Sequence, residues 1–286
     1  MRWERGRRSD NIEDRRGMRV GGRGLAGGGI SAIVLALVAL YFGVDPSIVL
    51  NQAGGLGEPA QQSAPAPTSP EEARLKDFMS VVLADTEDVW ATLFQQNGRS
   101  YEQPKLVLFS GAVQSACGHA SAAMGPFYCP GDHKLYLDMT FFNDLANLHD
   151  APGDFAQAYV VAHEVGHHVQ TLLGISDRVR AAQSRAAGSA EGNAMQVRME
   201  LQADCFAGVW AYHANRERQV LEPGDVEEAL AAAAGVGDDR LQQQARGYVV
   251  PESFTHGSSE QRMRWFNRGM QSGDPAHCDT FNTARL

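Results

Sequence analysis

Apolar and polar positions follow three regimes along the chain. From Gly24 to Val44 no charged residue interrupts a run of 21, which Asp45 closes. As a helix, a run of this length can just span a bilayer. Asn51 to Pro70 is rich in Gly, Pro, Ala, Ser and Gln with one charge, the composition of an extended linker. Globular periodicity begins after it. The pattern predicts a helix from Glu71 to about Gln96 and a strand from Lys105 to Phe109. A hairpin then passes through Tyr128 and Leu135-Tyr136-Leu137-Asp138. Alternation over Lys134 to Asp138 is that of a half-buried edge strand. Phe155, Tyr159, Val160, His163, His167 and Thr171 recur at helical spacing, with Asp154 as N-cap and Gly174 as stop. An Ala/Arg-rich connector leads to a second helix over Asn193 to Tyr212, and further helices are expected near 225–246 and 259–271. No internal repeat is present.

Charge adds a topology to this pattern. The first 23 residues carry eight Arg against four acids, an excess of +4, just ahead of the apolar run. The expected organisation is a basic cytoplasmic segment (1–23), a transmembrane signal anchor (24–44), a flexible linker (45–70) and one domain (71–286). A cleaved signal peptide is the rival reading, but no clear small-x-small site follows the apolar run. By the positive-inside rule this is a single-pass membrane protein, N-terminus cytoplasmic and domain extracytoplasmic. Removing the N-terminal +4 from the chain's −9 leaves −13, which argues against nucleic acid as a partner. Four cysteines suit an oxidising location. Cys117 and Cys129 bracket a short turn-containing segment, and Cys205 with Cys278 would tie the C-terminal tail to the second helix. Three pairings are open, and a Cys-ligated structural zinc or free thiols are the alternative, although no C-x-x-C occurs. Nothing in the sequence sets an oligomeric state.

Candidate chemistry concentrates at His163-Glu164-Val165-Gly166-His167, an H-E-x-x-H string. On a helix, i and i+4 share one face, so both imidazoles can reach one metal ion while Glu164 flanks it and holds a water. Two histidines and a glutamate on a mostly apolar helix are costly without partners, and a metal serves all three. Catalytic zinc takes a third protein ligand. Glu200, on the second helix, is the best candidate. Asp204 is also i, i+4 from it, so the two carboxylates would repel unless they share a cation. Glu200 is therefore expected on the metal, with Asp204 behind it accepting the free N–H of a ligand histidine. His168 lies off the ligand face. Leu173 stands where the H-E-x-x-H-x-x-G-x-x-H pattern needs its third His, which excludes that class and leaves a gluzincin-like arrangement.

The strings His163 to Gln170 and Glu200 to Trp210 resemble those shared by the neutral zinc metallopeptidase family of membrane-anchored bacterial proteins. Gly125-Pro126-Phe127-Tyr128-Cys129-Pro130, Tyr136-Leu137-Asp138 and Thr255-His256-Gly257, followed by Arg262 and Trp265-Phe266, extend the resemblance over nearly the whole chain. It implies an α+β, zincin-like domain, mainly helical with a small sheet, one Zn2+ per chain, and a protein or peptide substrate. It also implies that the Lys134–Asp138 strand lies beside the cleft. The expected reaction is hydrolysis of peptide bonds with Glu164 as general base. His256 is the candidate oxyanion donor, because it precedes the capping-box pattern Ser258-x-x-Gln261 at a helix start. Arg262 and Arg264 are read as structural ion-pair partners. The alternatives are a membrane-tethered zinc-binding or scaffolding protein without turnover, and an extracytoplasmic interaction domain with no metal.

Overall fold

The structure is a computed structural model that describes residues 1–17 and 69–286. The anchor expected over 24–44 and most of the linker lie outside the described residues. Among the described residues no helix is long and apolar enough to cross a membrane.

The domain is mainly helical with a small sheet. β1 (Ile12–Asp14) is followed by α1 (Pro70–Gln96), which opens on a capping box in which Ser69 and Glu72 satisfy each other's backbone N–H groups. The strands β2 (Lys105–Phe109), β3 (Ala112–Ser115), β4 (Gly118–Ser121), β5 (Phe127–Cys129) and β6 (Lys134–Asp138) come next. They form a four-stranded sheet in the order β1-β2-β6-β5, with a separate β3-β4 hairpin. β1, β2 and β6 run parallel, and β5 returns antiparallel to β6.

This order corrects one sequence expectation: β6 is an interior strand and β5 is the edge. The alternation was misleading because only Lys134 and Asp138 are polar, while Leu135, Tyr136 and Leu137 are all buried. Leu106, Leu108, Leu135 and Leu137 face the main core. Val107, Phe109 and Tyr136 face a second, smaller cluster with Val113 and Ala120 of the hairpin. Burial on both faces gives these central parallel strands continuous apolar runs.

The helices are α2 (Phe141–Asn147), α3 (Asp154–Leu172), α4 (Ile175–Gln183), α5 (Ser189–Arg218), α6 (Asp225–Gly235), α7 (Asp238–Arg246) and α8 (Ser259–Ser272). The 30-residue α5 is the spine, and α3 and α8 pack along it. Those contacts are backbone-close. A Cβ on Gly269 of α8 would stand 1.9 Å from the Cys205 carbonyl oxygen, so only glycine permits this approach. Three further expectations change. The connector contains α4. The single helix expected near 225–246 is two, because the chain breaks at Gly237, where a Cβ would stand only 2.5 Å from Ser259 N and Oγ. Asp154 is not the N-cap. Gly153 holds that position, at φ 118°, and the Asp154 carboxylate instead accepts from the Met1 ammonium at 2.9 Å.

Met1–Arg16 belong to the same compact unit as Pro67–Leu286. The disulfides are Cys117–Cys129 and Cys205–Cys278, and no described cysteine is free.

Candidate metal centre and cleft

α3 carries His163 and His167 one turn apart, their ring centroids 4.8 Å from each other and their planes nearly perpendicular. Gly166 between them lets α3 approach α5, since a Cβ there would lie 3.0 Å from both Cα and O of Ala203. That approach brings Glu200 of α5 to the two rings. Its Oε2 lies 3.2 Å from His163 Nε2 and 3.4 Å from His167 Nε2. The three ligand atoms fall within 4.8 Å of one another.

The outward-facing atoms of each group are already engaged. His163 Nδ1 lies 2.8 Å from Asp204 Oδ1, and His167 Nδ1 lies 2.8 Å from Gln170 Oε1. Gln196 Nε2 donates to Glu200 Oε1 at 2.8 Å. Each ring can therefore carry its proton on Nδ1 and turn a bare Nε2 inward, beside a free carboxylate oxygen. Two imidazole nitrogens and one carboxylate oxygen are a donor set that suits zinc. The residues present fit the metal. A second acidic group, Asp154, Asp225 and Glu228, has no histidine. The Met1 ammonium fills it, 2.9 Å from Asp154 and 3.3 Å from Asp225.

Asp204 is fully buried and serves more than His163. Arg262 of α8 grips it through Nε and Nη2, each at 2.9 Å, and the Tyr159 hydroxyl donates to its Oδ1 at 2.5 Å. Burial alone would raise the Asp204 pKa, but Arg262 and His163 hold it down at about 2. Burial likewise opposes ionisation of Glu200, yet His167 and His163 keep it well below the usual carboxylate range. Burial disfavours a charged His163, and Asp204 and Glu200 outweigh that, raising it to about 9. Arg262 Nη2 also stands 3.4 Å from His163 Nδ1. With the Nδ1 proton directed at Asp204, that approach is a contact between two donors, not a hydrogen bond.

The cluster opens into a cleft of about 550 Å³, lined also by Glu164, His256 and Arg262 and walled by Phe127, Tyr128 and Phe141. Glu164 makes no hydrogen bond or ion pair among the described residues. His256 precedes α8, where Asp238 Oδ2 accepts from the backbone N–H groups of Thr255, His256 and Gly257 at 2.7, 2.6 and 2.9 Å. Asp238 Oδ1 lies 3.3 Å from the His256 Nδ1, which raises that imidazole's pKa. The capping box predicted at Ser258 and Gln261 is present. His168 points away from the cluster, between the Glu102 carbonyl and the Tyr128 hydroxyl. A larger cavity of about 750 Å³ beside Trp90, Phe94 and Phe206 holds none of these groups, so chemistry and not volume selects the site.

Sequence reasoning missed Tyr159, Gln170, Gln196 and Asp238. The first three stand three or four residues from a ligand on the same helix, a spacing that could have found them. Asp238 acts across a fold-dependent contact and left no local signal.

Two histidines and a glutamate thus meet between two helices, beside a cleft that a further glutamate lines. The family described as "Putative neutral zinc metallopeptidase" matches residues 1–281, and the chain belongs to it. The chain is 51% identical to "Uncharacterized protein YpfJ" of Escherichia coli K12 over 290 aligned positions, 98% of this chain and 99% of that protein. It is 45% identical to "Uncharacterized protein Rv2575" of Mycobacterium tuberculosis H37Rv over 263 positions, 87% of this chain and 86% of that one. No solved structure gives a significant match.

Proposed function

We propose that this protein is a zinc-dependent endopeptidase in which His163, His167 and Glu200 hold the metal. When bound, zinc supplies Lewis acidity toward a water and a peptide carbonyl. The protein's own groups do the rest. Glu164, on the cleft wall, accepts the water's proton on its carboxylate and returns it to the leaving amine. His256, steered by Asp238, donates a hydrogen bond to the carbonyl oxygen as negative charge develops there. Asp204 and Gln170 keep both ligand rings turned inward. β5, whose outer edge pairs with no other strand among the described residues, offers that edge to an extended peptide, and Phe127 and Tyr128 meet its apolar side chains.

Extracytoplasmic proteins or peptides are the substrates we assign. The two disulfides support this, since such bonds persist in oxidising compartments. The observation that carries the reading is Glu164, lining the cleft beside the three ligands with no protein partner among the described residues. Metal binding alone does not need that carboxylate, which weighs against the zinc-binding scaffold without turnover. Glu164→Gln tests it. The variant is expected to keep its zinc and lose peptide hydrolysis by roughly 10²–10⁴-fold. Unchanged hydrolysis would remove Glu164 from the role of base.

A further inference from the structure

The walls of the metal cleft carry more than the catalytic groups. Four large apolar side chains are exposed among the described residues, and two of them, Met124 at 65% and Leu148 at 62%, line this cleft. Exposed apolar side chains gathered at one concave site mark a binding surface. Leu148 belongs to a stripe. Phe141, Asp144 and Leu148 stand at i, i+3 and i+7 along α2 and its C-cap, so they share one face, and all three line the cleft. Phe142 and Leu145, on the adjoining face, are buried in the main core and fix the helix in place. A Cβ on Gly125 would lie 3.6 Å from the Phe141 ring, so the stripe meets the wall that runs from Met124 into β5.

Asp144 is the polar member of that stripe. It is exposed, and its carboxylate has no hydrogen bond or ion pair among the described residues. No lysine lines the cleft among those residues, and its one arginine, Arg262, is buried and held by Asp204. His149 Nδ1 donates to the Gly235 carbonyl at 3.1 Å, and His256 is turned toward Asp238. Glu164, the other unengaged carboxylate, is committed to the water in the proposed reaction, which leaves Asp144 for the substrate. We propose that Asp144 selects peptides in which a Lys or Arg side chain is flanked by apolar ones. The cationic head pairs with the Asp144 carboxylate, while the neighbouring side chains cover Met124 and Leu148. The same carboxylate repels an acidic peptide, so it discriminates in both directions. This inference rests on the peptidase reading of the cleft and names its substrate class.

Binding measured apart from turnover tests it. Full-length Glu164→Gln, loaded with zinc, is titrated into two pools of short fluorescent peptides, random in Ala, Ser, Leu and Phe. Each peptide carries one Lys in the first pool and one Glu in the second. The Lys pool is expected to bind roughly 10-fold tighter, the gap between an attractive and a repulsive charge pair that are both partly exposed. Adding Asp144→Lys should reverse the order with zinc content unchanged. Equal affinities, no binding of either pool, or a Lys preference that survives Asp144→Lys would overturn the inference. The peptidase reading fails separately, by unchanged hydrolysis in Glu164→Gln. Hydrolysis by the parent chain with no preference for Lys or Arg near the cut would overturn the inference and leave that reading standing.

Discussion

Asp204 Oδ1 stands 2.8 Å from His163 Nδ1, and the same carboxylate is gripped from its other side by Arg262. Three helices meet at this one residue: α3 supplies the ligand histidine, α5 the carboxylate and α8 the guanidinium. The contact sets which His163 nitrogen faces the cleft, and it links ligand geometry to the packing of α8 on the spine.

Asp204→Asn removes the negative charge while keeping the shape. Arg262 is then a buried cation without its counter-charge, which costs on the order of 3–5 kcal/mol. Zinc affinity is expected to fall about 10- to 100-fold as His163 loses its acceptor. Chelator competition and thermal unfolding of the metal-free protein measure the two effects separately. Affinity equal to that of the parent chain would show that Asp204 does not orient His163.

The other ligand depends on a longer relay. Gln170 Oε1 meets His167 Nδ1, and Gln170 Nε2 donates to Gln202 Oε1 at 3.1 Å. Gln202 Nε2 in turn donates to the Cys278 carbonyl at 2.9 Å, beside the disulfide to Cys205. Replacing Cys205 and Cys278 together by Ala opens a cross-link spanning 73 residues, at a cost of about 4 kcal/mol. It is also expected to weaken zinc binding, whereas the same change at Cys117 and Cys129 should leave the affinity alone. Equal zinc affinities in both double variants would rule out the relay.

His168 predicts a pH dependence of stability. Burial pushes its pKa from 6.5 down to about 4. The neutral ring donates from Nε2 to the Glu102 carbonyl at 2.6 Å and accepts at Nδ1 from the Tyr128 hydroxyl at 3.1 Å. With the folded pKa below the unfolded one, this contribution is complete above pH 6.5 and is lost as pH falls from there toward 4. The loss amounts to up to about 3 kcal/mol. Urea unfolding at pH 7 and pH 4 should show that fall, and it should shrink in His168→Gln. The same fall in the variant would assign it to other groups.

His256 is expected to affect turnover and not metal content. His256→Ala should lower kcat by roughly 10²-fold with zinc stoichiometry unchanged. Asp238→Asn should reproduce part of that loss, because it loosens the loop that holds His256. Full activity in His256→Ala would assign the oxyanion contact elsewhere.

Much of the site was legible because its signals are local. His163 and His167 at i, i+4, and Glu200 and Asp204 at the same spacing, declare their shared faces without a fold, and the Ser258 capping box declares the start of α8. What escaped depends on distant partners. Arg7, Ser9 and Asn11 sit in a basic leader, and nothing local announces that all three reach the buried Glu87, 76 residues beyond Asn11. Tyr136 looked like an edge residue because its covering hairpin, β3-β4, has weak strand character of its own. Asp154 looked like a cap, but the Met1 ammonium claims it.

The most direct measurement of the central claim is metal content, by elemental analysis of the purified, oxidised, full-length protein beside a His163→Ala control. About one zinc per chain, lost in the control, is the expected result. A folded parent protein that contains no metal, and takes up none when zinc is added, would contradict the metal centre and the hydrolytic function built on it.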